Sequence, residues 1–259
     1  MRMKRCGALL ALALLVWATA AFGWSFGVCG DSRDDRNGVF PRILSSVRDS
    51  DMEFLLHTGD LARPGGTKSW EAFKAEAADF PKPLYLVIGN HELRGGTREE
   101  FARFFGLTTT SYGFTHKDVR FIVLDNAGGE MPDALLDWLK RELAAHPKGK
   151  NGIARLVVAM HYPPQTDSIF PHCTRRGYGD QSVKLLKILL RHKVDLVLCS
   201  HEHMQMVEDW SGIKTIVSGG AGAPLVPFQK YGFYRIDVTG NGIRETFLPV
   251  NRFPSSRPR

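Results

Sequence analysis

Residues 84–92 read LYLVIGNHE, an apolar run that changes abruptly into a glycine followed by Asn90, His91 and Glu92. Consecutive apolar residues bounded by turn residues are typical of a strand that is buried on both faces of a sheet. Ligands in α/β sheets gather beyond the carboxyl ends of the strands. This stretch therefore predicts an α/β fold in which polar side chains of catalytic type follow a central strand.

Four other apolar runs end in the same way. They lead, in chain order, into Asp31, Asp60, His161 and the pair formed by His201 and His203. Because parallel strands bring their carboxyl ends to one edge of a sheet, we expect these groups to share a single site. A lone Asp or His at a strand end is usually a cap or loop residue, but five such endings in order indicate function.

The rest of the chain has the alternation of apolar runs and amphipathic stretches that a layered α/β domain requires. No repeat, low-complexity tract or Pro/Gly linker divides it, so we predict one domain over residues 24–259. Helical periodicity covers Pro132–Ala145 and Gln181–His192, and more weakly Phe40–Asp49, Ser69–Phe80 and Arg98–Phe105. The predicted strands are Ser25–Cys29, Glu53–His57, Leu84–Ile88, Val119–Leu124, Arg155–Met160, Val194–Cys199, Thr215–Ser218 and Phe233–Val238.

The first 23 residues have the pattern of a secretory signal peptide. A basic start precedes the apolar run Ala8–Val16, and the small residues Ala18–Ala21 provide a cleavage site. A membrane anchor is the alternative, but strand-like sequence begins at Trp24, and what remains is marginal for the ~20 residues of a spanning helix. We therefore expect a signal peptide over residues 1–23, export to the periplasm or the medium, and no membrane span after cleavage.

Composition and motifs exclude several classes of function. The formal net charge is +7, and Arg2, Lys4 and Arg5 of the predicted signal contribute three of the positive charges. The sequence has no dense run of Lys and Arg, so the charge gives no strong indication of nucleic-acid binding. The serine-hydrolase elbow, the phosphate-binding P-loop and the dinucleotide fingerprint are all missing from the sequence. No Cys-x-x-Cys occurs, and we expect Cys29 and Cys199 to be buried thiols rather than a disulfide.

The residue types at the strand ends favour metal chemistry. Carboxylates, an amide oxygen and imidazoles make mixed oxygen and nitrogen shells that suit Mn, Fe or Zn rather than Ca. Two such ions about 3.5–4 Å apart polarise a phosphoryl group and hold a hydroxide for in-line attack. Gly30, Gly59 and Gly89 each precede a candidate ligand, where the backbone must turn sharply off a strand.

The order and spacing of these pieces resemble the calcineurin-like metallophosphoesterases. The likeness extends over about Phe26 to Val238 and implies a central β-sandwich flanked by helices, in four layers, with the metal site along one edge of the sheets. The motifs that carry it are Gly30-Asp31, Gly59-Asp60, Gly89-Asn90-His91-Glu92, His161 and Ser200-His201-Glu202-His203.

The resemblance also assigns roles to these residues. It implies two divalent or trivalent metal ions bridged by Asp60. Asn90, His161 and His201 would complete one shell, and Asp31 and His203 would contribute to the other. His91 would assist the leaving group as general acid or transition-state stabiliser, and Glu92 would orient it.

One motif departs from the family pattern, because Asp31-Ser32-Arg33 stands where the family usually has His two residues after Asp. The Arg33 guanidinium stays protonated and cannot ligate a cation. It can instead bind a substrate phosphate. The shell of Asp31 and His203 is then one ligand short unless water, Asp34 or Asp35 fills it, so we expect this metal site to be weakened.

The predicted function is hydrolysis of a small phosphorylated substrate by metal-activated hydroxide, as a phosphatase or a phosphodiesterase. Two alternatives stay open at this point. One is an inactive metal- or phosphate-binding envelope protein on the same fold, and the other is a nuclease of the same fold. The motifs do not decide between monoester and diester, nor do they indicate the metal or the oligomeric state.

Overall fold

The computed structural model describes residues 23–164 and 179–251. Residues 1–22 of the predicted signal peptide lie outside the described residues. Among the helices that are described, none has the length and apolar character needed to cross a membrane.

The described residues form eleven strands and five α-helices. The strands are β1 (Trp24–Cys29), β2 (Leu55–His57), β3 (Leu84–Leu86), β4 (Tyr112–His116), β5 (Val119–Leu124), β6 (Arg155–Met160), β7 (Leu196–Cys199), β8 (Gln205–Trp210), β9 (Ile213–Ser218), β10 (Gly232–Thr239) and β11 (Gly242–Pro249). The helices are α1 (Val39–Arg48), α2 (Thr67–Glu76), α3 (Arg98–Phe105), α4 (Asp133–Ala145) and α5 (Gly179–His192).

The strands pair into two mixed sheets. One has the order β11-β10-β1-β2-β3 and the other the order β4-β5-β6-β7-β9-β8. Within the first, β1, β2 and β3 run parallel, and within the second, β5, β6, β7 and β9 run parallel. Parallel neighbours need crossover connections, which leave the loops after their carboxyl ends together at one edge. This edge carries the predicted site.

Three apolar cores hold four layers together. The two sheets face each other across a core that includes Phe26, Leu56, Phe121 and Val157. The outer face of the five-stranded sheet is covered by α1, α2 and α3, and that of the six-stranded sheet by α4 and α5. The predicted β-sandwich flanked by helices is therefore confirmed.

The helices follow from their sequence patterns. Helix α4 buries Leu136, Leu139 and Leu143, which lie on the predicted apolar face. Helix α3 begins with a capping box, in which Thr97 and Glu100 each accept from the other's backbone N–H. Such local signals explain why the bounds of α3 were predicted without error.

Three strands, β4, β8 and β11, have no counterpart in the sequence prediction. Each lies at an edge of its sheet, and each is largely half-buried or exposed. An edge strand with one wet face has no continuous apolar run, so the criterion of uninterrupted hydrophobicity misses it. Cys29 and Cys199 are both buried free thiols, as predicted.

Candidate active site and metal centre

The loops after five strands bring the predicted residues to one place. Asp31 follows β1, Asp60 follows β2, and Asn90 follows β3, while His161 and His201 follow β6 and β7. Backbone hydrogen bonds join these loops, for example from Asp31 N–H to the Gly59 carbonyl at 3.0 Å. The strand-end pattern therefore identified residues that are neighbours in the fold.

The backbone at these loops is unusual. Asp31, Asp60 and His201 have φ angles of 58°, 57° and 69°, a left-handed conformation that is uncommon for residues other than glycine. Gly59 has a φ of 106°, and a Cβ built on it would lie 2.6 Å from His161 Nδ1. Strain of this kind clusters at functional sites, where the surrounding structure holds it in place.

Four side chains place their donor atoms around one point. The Oδ1 atom of Asn90 lies 3.0 Å from His161 Nε2 and 3.0 Å from His201 Nδ1. The two ring nitrogens are 3.3 Å apart, and Asp60 Oδ1 is 3.3 Å from His161 Nε2. Among the residues that the structure describes, Asp60, His161 and His201 form the cluster of acidic and histidine groups that could hold a metal ion.

The protonation states leave lone pairs at this point. His161 Nδ1 is 2.9 Å from the Thr58 carbonyl oxygen, which can only accept, so a proton on Nδ1 donates there and Nε2 is the nitrogen that faces the other donor atoms. Burial, reinforced by His161, lowers the pKa of His201 to about 2. Burial would raise the pKa of Asp60, but His161, the backbone N–H of His91 and Arg33 outweigh it and hold that pKa below its usual range. The donor set therefore fits a cation of the Mn, Fe or Zn type.

The second predicted shell is arranged differently. The buried Asp31 Oδ1 has no hydrogen-bond partner among the described residues, and it lies 3.5 Å from His203 Nε2. Between the carboxylate of Asp60 and the ring of His203 lies the guanidinium of Arg33. Its Nε is 3.2 Å from Asp60 Oδ2 and its Nη2 is 3.1 Å from His203 Nε2. This shell does not fit a metal ion in the observed arrangement.

Neither of the suggested substitute ligands is free to complete that shell. Asp34 Oδ2 forms ion pairs with Arg33 at 2.8 Å and with Arg63 at 3.3 Å. Asp35 accepts from the backbone N–H of Phe40 at 2.8 Å, at the start of α1. In the observed arrangement, therefore, both carboxylates that could have filled the place of the missing histidine have other partners.

His91 lies beside the donor cluster without belonging to it. Its Nε2 is 3.8 Å from Asp60 Oδ2, and its backbone N–H donates to Asp60 Oδ1 at 2.9 Å. Burial, with the charges of nearby arginines, lowers the pKa of His91 to about 4 although Asp60 opposes this. The ring is therefore neutral near pH 7 and can donate one hydrogen bond.

Glu92 does not orient His91, contrary to the role that the resemblance implies. Its Oε2 accepts from the backbone N–H of Asp60 at 3.0 Å and of Gly89 at 2.8 Å. Its Oε1 accepts from Leu61 at 2.9 Å and from Ala62 at 3.1 Å. The physical reason is the loop after β2, whose consecutive N–H groups point inward and need an acceptor. Glu92 thus fixes the backbone on which Asp60 is carried.

Two residues of the site were missed from the sequence. Asn126 is fully buried, and its Oδ1 accepts from the backbone N–H groups of His161 at 3.0 Å and of Tyr162 at 3.1 Å. Because Asn126 comes just after β5, the same strand-end pattern could have found it. His57, at the end of β2, is fully buried and lies 2.9 Å from Ser32 Oγ. It joins the loops that carry Asp31 and Asp60.

Comparison with known proteins gives consistent matches. Residues 25–205 match the sequence profile of the calcineurin-like phosphoesterases. The 3′,5′-cyclic adenosine monophosphate phosphodiesterase CpdA of Escherichia coli (strain K12) is 25% identical over 187 residues, which cover 69% of this chain and 65% of that protein. The probable glycerophosphodiester phosphodiesterase GpdQ of Arcobacter nitrofigilis is 24% identical, over 62% of this chain and 60% of that protein. In both cases the matched part spans less than two thirds of the relative.

Solved structures share the fold. The purple acid phosphatase PPD1 from yellow lupin (Lupinus luteus) seeds superposes with a TM-score of 0.72 at 14% sequence identity, over 88% of this chain and 52% of that chain. At this level of identity the likeness establishes the two-sheet architecture and nothing about the substrate.

Proposed function

Since this chain belongs to the calcineurin-like phosphoesterase family, we propose that it hydrolyses phosphate esters with a metal ion held by Asp60, Asn90, His161 and His201. The observation that carries this proposal is the convergence of the four donor atoms, with His161 and His201 each 3.0 Å from Asn90 Oδ1. Lone pairs that face each other at this distance in a buried place are stable with a cation among them.

The proposed chemistry divides between the ion and the protein. A bound Mn, Fe or Zn ion supplies a Lewis acid for the phosphoryl oxygen and makes a nucleophile available from water at neutral pH. His91, next to Asp60, donates a hydrogen bond to the leaving-group oxygen. Glu92 and Asn126 hold the loops of Asp60 and His161, so that the donor atoms keep their spacing when substrate enters.

We further propose that the substrate is a small phosphodiester. The two relatives named above are described as phosphodiesterases, of a cyclic nucleotide and of glycerophosphodiesters. A cavity of about 430 Å³ adjoins Arg33, and its lining includes Arg63 and Phe73 as well as the acidic Asp34, Asp35 and Glu76. Ligand pockets for small molecules have volumes of this order. Export, from the signal-like pattern of residues 1–23, is likewise a proposal.

The test compares bis(p-nitrophenyl) phosphate with p-nitrophenyl phosphate, both with added Mn²⁺. We expect faster turnover of the diester by the wild-type protein and a loss of at least about 100-fold in Asp60→Asn, as for removal of a group that acts in the transition state. Asp137→Asn is the matched control, because Asp137 is exposed on α4. Metal bound without turnover of either ester would instead support the alternative of a binding protein on this fold.

A further inference from the structure

Arg33 lies where the second metal shell was expected. Its guanidinium contacts both Asp60 Oδ2 and His203 Nε2, at 3.2 and 3.1 Å. These are the two atoms through which Asp60 and His203 would hold a second ion beside the first. Arg33 is itself buried, with 8% of its surface exposed, so that the guanidinium is enclosed by the site rather than extended into solvent.

The His203 ring has only one lone pair to give. Its Nδ1 is 2.7 Å from the carbonyl oxygen of Pro224, which can only accept, so this nitrogen carries the proton in the neutral ring. The lone pair is then on Nε2, and Arg33 Nη2 donates to it. The same lone pair cannot bind a metal ion while it accepts from Arg33. Only Asp31 Oδ1 is left in this shell, and one oxygen does not make a metal site.

Charge balance leads to the same conclusion. Asp31, Asp60 and Asp34 bring three negative charges, and Arg33 and Arg63, which both pair with Asp34, bring two positive charges that they cannot lose. One divalent ion at the donor cluster leaves a single net positive charge in this region. A second divalent ion would add two further charges next to the guanidinium, where burial weakens solvent screening.

We propose that this protein binds one metal ion per chain and that the guanidinium of Arg33 permanently takes the place of the second. This inference rests on the proposed metal site, and it assigns Arg33 a role in setting the number of ions. Three of its N–H groups are directed at Asp60, His203 and Asp34. Since a guanidinium has five, two others are available for a substrate phosphate at the adjoining cavity.

The experiment measures metal content rather than turnover. The wild-type protein, Arg33→His and Arg63→His are each dialysed to equilibrium against Mn²⁺, and the bound manganese is counted by mass spectrometry. Arg63→His is the matched control, since Arg63 pairs with the same Asp34 oxygen at 3.3 Å but is exposed. Electron paramagnetic resonance of the same samples distinguishes isolated Mn²⁺ from two exchange-coupled ions.

We expect one isolated Mn²⁺ per chain in the wild-type protein and in Arg63→His, and two coupled ions in Arg33→His. Two ions in the wild-type protein overturn the proposal, whether or not either variant folds. Retention of a single ion by a folded Arg33→His protein, or a second ion in Arg63→His, also overturns it. Ester hydrolysis is scored separately, so one bound ion without turnover contradicts the proposed function and leaves this inference standing.

Discussion

The Nε2 atom of His161 lies 3.3 Å from the Oδ1 atom of Asp60. Because His161 Nδ1 points at the Thr58 carbonyl oxygen, a proton on Nδ1 donates there and Nε2 faces the carboxylate. A buried carboxylate oxygen and a ring nitrogen held this close are stabilised by positive charge, which a metal ion beside them supplies. The close approach of His161 and Asp60 therefore indicates a metal-binding site, and several consequences can be measured.

Asn126 fixes the position of His161, and its removal should weaken metal binding without touching a ligand. In Asn126→Ala the buried backbone N–H groups of His161 and Tyr162 lose their acceptor. We expect Mn²⁺ affinity to fall by about 10- to 100-fold, as for other groups that orient a metal ligand. Asn126→Asp, which keeps the accepting oxygens, should recover part of the affinity. Calorimetric titration with Mn²⁺ checks this, with the exposed Asn241→Ala as control, and equal affinities in all four proteins would contradict it.

Glu92→Gln should destabilise the loop that carries Asp60. Each carboxylate oxygen of Glu92 accepts from two backbone N–H groups. In the glutamine, an NH₂ group replaces one of these oxygens, so two backbone N–H groups face a donor instead of an acceptor. We expect a loss of about 1–3 kcal/mol in the free energy of unfolding, the usual cost of a buried donor without a partner. Urea unfolding measures it. The exposed Glu71→Gln should change stability by less than about 0.5 kcal/mol, and a similarly small effect at Glu92 would refute the role assigned to it.

His91→Gln should separate catalysis from metal binding. The ring lies beside Asp60 but outside the donor cluster, at 3.8 Å from the carboxylate. We expect kcat/KM for the diester to fall by about 10²- to 10³-fold, the range for loss of a hydrogen-bond donor that acts in the transition state. The manganese content should stay as in the wild-type protein. His192→Gln, on α5, is the control, and a His91→Gln protein that loses its metal would show that His91 is a ligand instead.

His57 should make the protein sensitive to mild acid. Burial lowers its pKa from 6.5 to about 3, against the smaller opposing effect of Asp60. Below about pH 6.5, His57 therefore becomes protonated in the unfolded chain but stays neutral in the folded chain. The stability contributed by the neutral ring is present above that pH and is lost as the pH falls toward 3.

Between pH 7 and pH 5 this effect amounts to about 2 kcal/mol. The free energy of unfolding is measured in urea with a chelator present. Over this interval, we expect its decline to be about 2 kcal/mol smaller in His57→Gln than in the wild-type protein. His146→Gln should follow the wild-type protein, since His146 is only half-buried at the end of α4. Parallel curves for wild type and His57→Gln would count against a neutral His57 in the folded state.

The strands that could be predicted from the sequence are those with a long apolar run. The runs of β5 and β6 are apolar apart from Arg120 and Arg155, and their predicted bounds agree with the structure. Polar residues at the ends of β1, β2, β6 and β7 were recognised because a sharp change from apolar to polar marks a buried strand leaving the core. The edge strands β4, β8 and β11 have no continuous apolar run, because one face of each is exposed to solvent.

The residues that support the site were harder to predict than its candidate ligands. Glu92 belongs to a motif, but nothing in the sequence shows that its oxygens bind backbone N–H groups rather than His91. Asn126 has no motif around it, and its role depends on β5 and β6 being neighbours. The position of Arg33 depends on three loops meeting, from β1, β2 and β7, and such long-range packing is not encoded in local spacing.

The central claim is that one cluster of Asp60, Asn90, His161 and His201 binds a metal ion that the hydrolysis of phosphate esters requires. The most direct test removes the ion with a chelator, confirms its absence by mass spectrometry, and then follows bis(p-nitrophenyl) phosphate before and after Mn²⁺ is returned. The account predicts a loss of turnover of at least about 100-fold without the ion and its recovery with Mn²⁺. Undiminished turnover by protein that contains no metal would contradict it.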